Sequence, residues 1–375
     1  MSGGSSSKLS AALVLIWLLS ACGGVGAPPA ASSVAPSSAS SAAKPLTGAS
    51  AGASGKPAPA SGAAAAPASA AGSVGAAKIT AAYSVASPGF WPLYMAADTG
   101  IFQKNGLDAT LQLVSGAPAA AAALTAGELQ FAQFGGGAAM SAAANGSDLL
   151  MLAIVVPVDQ FVIYAAPDIK TGADLKGKKL GVVAIGGSED NIAMRSGIRY
   201  LGMDPDKDVA ILPVGSDRVT ALFNGAVQAA TLTPPDTLAV EPKGFHPVLD
   251  MAAAKLPHLG QSSIASRAYV NAHRDVAQKY VDSLVEGIAK LKRDRASAID
   301  VLGKRIKSSD QKAMGVAYDF YTQEIFPALP DPKPELFQDA VTELSKEDPK
   351  IKTFDVSSMV DPSFVRSAGS RGLDK

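Results

Sequence analysis

Cysteine is all but missing from the 375 residues: Cys22 stands alone. One thiol excludes an internal disulfide framework and any paired-cysteine redox or zinc motif. Histidine is scarce as well. His246, His258 and His273 share no metal-ligand spacing, so surface or capping roles are expected and no metal. Charged residues make up only 18%, with 33 basic and 33 acidic side chains. Zero net charge leaves no electrostatic footprint for nucleic acid. The motifs of common catalysts are absent too: no G-x-S-x-G elbow, no P-loop, no H-E-x-x-H, and no G-x-G-x-x-G after the first strand.

What is present begins with Lys8 and the apolar run Ala11 to Leu19, of signal-peptide length and too short to span a bilayer. It ends Leu19-Ser20-Ala21-Cys22, which resembles the lipobox of bacterial lipoproteins. That resemblance implies a signal over 1–21, cleavage before Cys22 and lipidation of its sulfur. An unpaired thiol on an exported protein then has a purpose. From 22 to 77 the chain is almost wholly Ala, Ser, Gly and Pro, with Lys44 and Lys56 its only charges. Such a segment cannot bury enough apolar surface to offset chain entropy, and a disordered tether is expected. Its alanines inflate the 47% hydrophobic content beyond the true core.

Strands and helices alternate from Lys78 onward. Lys78 to Val85 reads as a strand. Leu93, Tyr94, Ala96 and Ala97 recur at helical spacing up to Gly100, and Asn105-Gly106 is a turn dipeptide. Leu107, Ala109, Leu111 and Leu113 then alternate with the period of a strand. Such strand–helix–strand units build parallel sheets. Pro118 to Ala126 reads as a helix, Leu129 to Phe134 as a strand, and Leu149 to Val156, a continuous apolar run, as a central parallel strand. A second block follows. Asp159 to Ala165 is an extended crossing, Gly181 to Ile185 a strand, Glu189 to Leu201 a helix, Val209 to Val214 and Ala226 to Leu232 strands. Ser262 to Val270 is expected to return as a strand, and Asn271 to about Glu347 reads as helical.

Three phrases carry a family resemblance. Pro92-Leu93-Tyr94-Met95-Ala96-Ala97-Asp98-Thr99-Gly100-Ile101-Phe102-Gln103-Lys104-Asn105-Gly106-Leu107-Asp108 resembles the opening of ABC-importer solute-binding proteins for sulfonate, taurine, nitrate and thiamine precursors. Asp174-Leu175-Lys176-Gly177-Lys178-Lys179 resembles the phrase that starts their second lobe, and it also reads as a solvated turn. Ala221 to Ala230 echoes a third phrase, with Gln228 in place of the usual acid. The resemblance covers roughly Lys78 to Val285. It implies the two-lobed type II periplasmic binding protein fold: each lobe a mostly parallel sheet flanked by helices, with a helical C-terminal part. Lobe one is expected over 78–158 and 262–375, lobe two over 159–261. The implied function is capture of a small solute, either a sulfonate-, taurine- or nitrate-like anion or a thiamine-precursor pyrimidine, for a membrane permease. The protein is expected to be a lipid-anchored, extracytoplasmic monomer with no cofactor. A ligand sensor docking on a signalling receptor is the alternative. A related yeast-type enzyme makes the thiamine pyrimidine on this fold but needs a cysteine-rich segment, and this chain has no cysteine after Cys22, so no enzyme is expected.

Open α/β sheets bind ligands outside the carboxyl ends of their strands. The loops there supply the candidate contacts: Ser87, Gly89, Phe90, Ser115, Gly116, Gly135 and Gly136 in lobe one, and Gly187, Ser188, Arg218 and Thr233 in lobe two. Glycine lets backbone N–H groups approach a ligand closely. Each candidate has a bland alternative. Ser87 and Ser188 suit helix caps equally well, and Arg218 suits a solvated helix start. Phe90 and Trp91 could stack on a planar ligand, though Trp91 faces the apolar Leu93–Met95 turn and reads better as core. Helix N-termini favour anions. Glu189 and Asp190, however, already complement the dipole at the Gly187-Ser188 turn.

Overall fold

A computed structural model describes residues 75–375; the expected signal and nearly all of the tether, Cys22 included, lie outside the described residues. Among the described residues, ten strands form two five-stranded sheets. The first has the order β2 (Leu107–Leu113), β1 (Ala77–Tyr83), β3 (Phe131–Gly135), β10 (Gln261–Ser266), β4 (Leu149–Ile154). The second has the order β7 (Ala210–Pro213), β6 (Lys179–Val182), β8 (Ala229–Leu232), β5 (Val162–Ala165), β9 (His246–Asp250). Each sheet is parallel except for one strand, β10 in the first and β5 in the second, which runs antiparallel to both neighbours. Those two strands are where the chain enters each sheet from the other lobe. The mostly parallel α/β lobes implied above are thus present, with the reversal placed at the crossings.

The two crossings lie side by side. Asp159 N donates to Leu256 O at 2.9 Å, His258 N to Pro157 O at 3.0 Å and Gly260 N to Val156 O at 3.1 Å. Two paired segments make a connector that can bend while keeping the lobes in register.

Three expectations need correction. The apolar run at β4 sits at a sheet edge rather than in the centre. All six of its residues are nevertheless buried, because later parts of the chain cover that edge: Ile154 N donates to Pro330 O, and Asp361 N to Met151 O. The strand expected over Ser262 to Val270 stops at Ser266, whose hydroxyl accepts from Tyr269 N and starts a helix, Arg267–Ala272. β9 has no counterpart in the expected elements. His246-Pro247-Val248-Leu249-Asp250 is short and only Leu249 is buried, so it carries little pattern.

Most of the C-terminal part packs on lobe one. The 20-residue helix Arg274–Arg293 buries Val276, Val281, Leu284 and Ile288 along one stripe, the spacing of a helix against a core. Its Tyr280 stacks on Phe131 of β3 with ring centroids 3.9 Å apart. The helix Gln338–Leu344 does something different: Ala340 and Leu344 share one apolar cluster with Ile192 of lobe two's helix Glu189–Tyr200. It therefore straps the lobes together.

Candidate functional site

Between the lobes lies a cavity of about 830 Å³, bounded by Ser84 and Gly116 on one side and Gly187 and Ser188 on the other. The strands end here, so helix N-termini face inward from Ala117–Thr125, Gly136–Ala144 and Glu189–Tyr200. The walls are small and apolar, with Ala121, Ala138, Ile185, Ile192 and Leu259 among them. The charged lining is Glu189, Asp339 and His258; among the described residues none that lines it is Lys or Arg.

Glu189 is the centre of the polar network. Its Oε1 accepts from Gln160 Nε2 at 3.1 Å and faces His258 Nε2 at 3.2 Å, and its Oε2 accepts from Gln261 Nε2 at 2.9 Å. Gln160 is in turn fixed by Tyr321, whose hydroxyl donates to Gln160 Oε1 at 2.7 Å. The other nitrogen of His258, Nδ1, lies 3.9 Å from Asp159 Oδ2. Burial alone would lower the His258 imidazole, but Asp159 and Glu189 outweigh it and hold it at about 8. The ring is therefore charged at neutral pH, clamped between two carboxylates. Burial conversely lifts the Asp159 carboxyl to about 6, against the pull of His258. Hydrogen bonds to ionised groups are roughly twice as strong as neutral ones, so this node ties lobe two to both crossings.

Four of the expected contacts line the cavity: Gly116, Gly135, Gly187 and Ser188. Seven lie elsewhere. Gly89 and Gly136 are packing positions. A Cβ at Gly89 would stand 2.8 Å from Gln261 Cδ, and one at Gly136 2.6 Å from Leu259 Cγ, so only glycine fits without displacing the site's own residues. Phe90 is 1% exposed and packs on Tyr83 and Tyr94, with its ring turned into the core. Ser87 precedes the turn Pro88–Phe90 without a side-chain cap bond, and Ser115 is exposed on the loop after β2. Arg218 pairs with Asp190 Oδ2 at 3.6 Å and lies over the Phe161 ring, while its buried Nε finds no protein partner. Thr233 directly follows β8, beside Tyr321. Ser188 does not cap its helix either: its hydroxyl engages Ala184 O and Asp190 Oδ1.

His258 corrects the expectation of a surface histidine, being 4% exposed. Gln160, Gln261, His258 and Asp339 were not among the expected contacts. Their one local trace is the acid pair Glu189-Asp190 at a helix start.

The chain belongs to the NMT1/THI5-like family, whose model matches residues 87–298. A binding protein of Brucella abortus is 31% identical over 129 residues, 34% of this chain; the match spans only 39% of that protein's length. The sulfonate-binding protein of Methylobacillus flagellatus superposes with a TM-score of 0.67 at 17% identity, covering 80% of this chain and 96% of that one. The periplasmic aliphatic sulphonate-binding protein of Escherichia coli gives 0.65 at 20% identity, covering 77% and 99%. The fold is that of these binding proteins.

Proposed function

We propose that this protein is the extracytoplasmic solute-binding component of an ABC importer. It captures a small solute between its lobes and delivers it, in the closed form, to a membrane permease. The observation that carries this reading is the cavity of about 830 Å³ between two α/β lobes joined by a paired two-segment connector. Ligand sites prefer such clefts at strand carboxyl ends. The similarity to sulfonate-binding proteins supports it. A binding role rather than catalysis fits the polar side chains at the cleft, which hold one another in place around Glu189.

Mass spectrometry of solute retained on the purified protein would identify the cargo. Added back at a hundredfold excess over its Kd, that solute should stabilise the folded state by about 2.7 kcal/mol. Small-angle scattering should show compaction. If no retained or added solute moves the melting transition and none compacts the protein, the reading fails.

Membrane attachment through Cys22 completes the proposal. One acyl chain gives marginal binding whereas several anchor stably, so the Cys22→Ala protein should leave the membrane for the soluble fraction. A variant that stays on membranes through a high-salt wash would refute the anchor.

A further inference from the structure

A helix N-terminus in a cleft, surrounded by side-chain donors, is the arrangement expected to hold the anionic head of a solute. Here the protein supplies the anion itself. The donors Gln160 Nε2, Gln261 Nε2 and His258 Nε2 all converge on the Glu189 carboxylate, at 3.1, 2.9 and 3.2 Å. A carboxylate has about four lone-pair sites, so three donors leave one acceptor position open. Glu189 also lines the cavity, which makes that position available to a bound molecule. The second acid of the lining, Asp339, is already paired with Arg199 Nη2 at 3.5 Å, which leaves Glu189 as the carboxylate with an open acceptor position. The one cationic lining group among the described residues, His258, is already flanked by Asp159 and Glu189. The remaining wall is mostly small, alanine, glycine and serine, with Asn145 and the larger apolar side chains Ile185, Ile192 and Leu259.

We propose that Glu189 is the specificity-determining residue of the cleft: a resident carboxylate in the seat of a solute anion, which directs the site to apolar molecules with a nitrogen head that donates hydrogen bonds. Amines, amidines and amides are the matching classes. A sulfonate or nitrate would meet the Glu189 charge with no Lys or Arg among the described residues that line the cavity, and like charges brought together in a cleft repel. This inference rests on the solute-binding reading and narrows its cargo.

Three probes with one body and different heads test it: benzamidine, benzamide and benzenesulfonate. Calorimetric titration and melting curves are run on the mature protein, on Glu189→Ala and on Glu189→Gln, with circular dichroism to confirm folding. Benzamidine and benzamide should bind the unaltered protein and raise its melting point, and benzenesulfonate should do neither. In Glu189→Ala the three donors lose their carboxylate, so benzenesulfonate affinity should rise by at least about tenfold while benzamidine binding falls. Glu189→Gln keeps the side-chain shape without the charge; it should show the same gain and carries the test if the alanine variant fails to fold. Benzenesulfonate stabilising the unaltered protein as well as benzamidine does would overturn the proposal. So would a folded Glu189 variant that gains no anion binding. If all three probes are silent on every protein, the resident-anion assignment falls, whereas the solute-binding reading is decided separately by retained cargo and lobe closure.

Discussion

Glu343→Ala should destabilise the protein by about 3 kcal/mol, the loss expected when one partner is removed from a buried charge cluster. The Glu343 side chain is 4% exposed. It accepts from Arg195 Nε and Arg199 Nη1 across the lobe boundary, and from Lys346 Nζ at 2.9 Å on its own side. Without it, two arginines on one face of the helix Glu189–Tyr200 are left to Asp206 and Asp339 at the margin, too exposed to replace a buried carboxylate. The fall should come with looser lobes, seen as a larger radius of gyration, because this strap joins helices of both. Acid titration gives a second signature. Burial alone would raise the Glu343 carboxyl, but Lys346, Arg195 and Arg199 outweigh it and hold it below its ordinary value. A depressed carboxyl contributes stability that is complete above its unfolded value of about 4.3 and is lost as pH falls through the lower folded value. The unaltered protein should therefore lose its advantage over Glu343→Ala as the pH drops below about 4. A variant melting within about 0.5 kcal/mol of the parent at pH 7 would show the cluster to be solvent-screened decoration.

The parts of the molecule legible in the sequence are those specified by neighbours in the chain. The alternation of Leu107, Ala109 and Leu111 placed β2, although Leu113, the last member of the pattern, ends half exposed. The glycines after β2, β3 and β6 marked loops that do reach the cavity, since a strand's carboxyl end locates a site before any contact is known. Side-chain partnerships across long separations left no such trace. Gln261 meets Glu189 from 72 residues away, and Tyr321 meets Gln160 from 161. A glutamine or histidine at these positions has no periodicity and no motif. Nothing local says that His258 lies beneath the cleft with Asp159 on one side and Glu189 on the other. Arg218 shows the converse case. A cation at a helix start after a glycine loop satisfied every local criterion for an anion contact, yet the fold turns it toward Asp190. The helical strap was readable as helix, but its inter-lobe task depends on Glu343 meeting arginines more than 140 residues earlier.

Phe90 and Trp91 pose the same question, whether an aromatic beside a glycine loop serves the ligand or the core, and Trp91→Ala answers it by stability. Trp91 is 0% exposed at the start of the helix Trp91–Asp98. Its Nε1 donates to Ala298 O at 2.8 Å, reaching a helix 207 residues further along the chain. Tyr318 meets its ring edge-on, with centroids 6.0 Å apart. Truncation removes the largest buried body in this corner of lobe one and leaves a cavity that rigid helices cannot close, which costs about 4 kcal/mol. At a few degrees per kcal/mol for a domain of this size, the melting temperature should fall by about 10 °C. Trp91→Phe separates bulk from hydrogen bond. It keeps most of the apolar volume and loses the donor, so it should cost about 1–2 kcal/mol. Neither variant should alter the solute Kd measured below its own melting transition, because Trp91 does not line the cavity. A Trp91→Phe protein that melts normally but no longer binds cargo would move Trp91 from the core to the ligand.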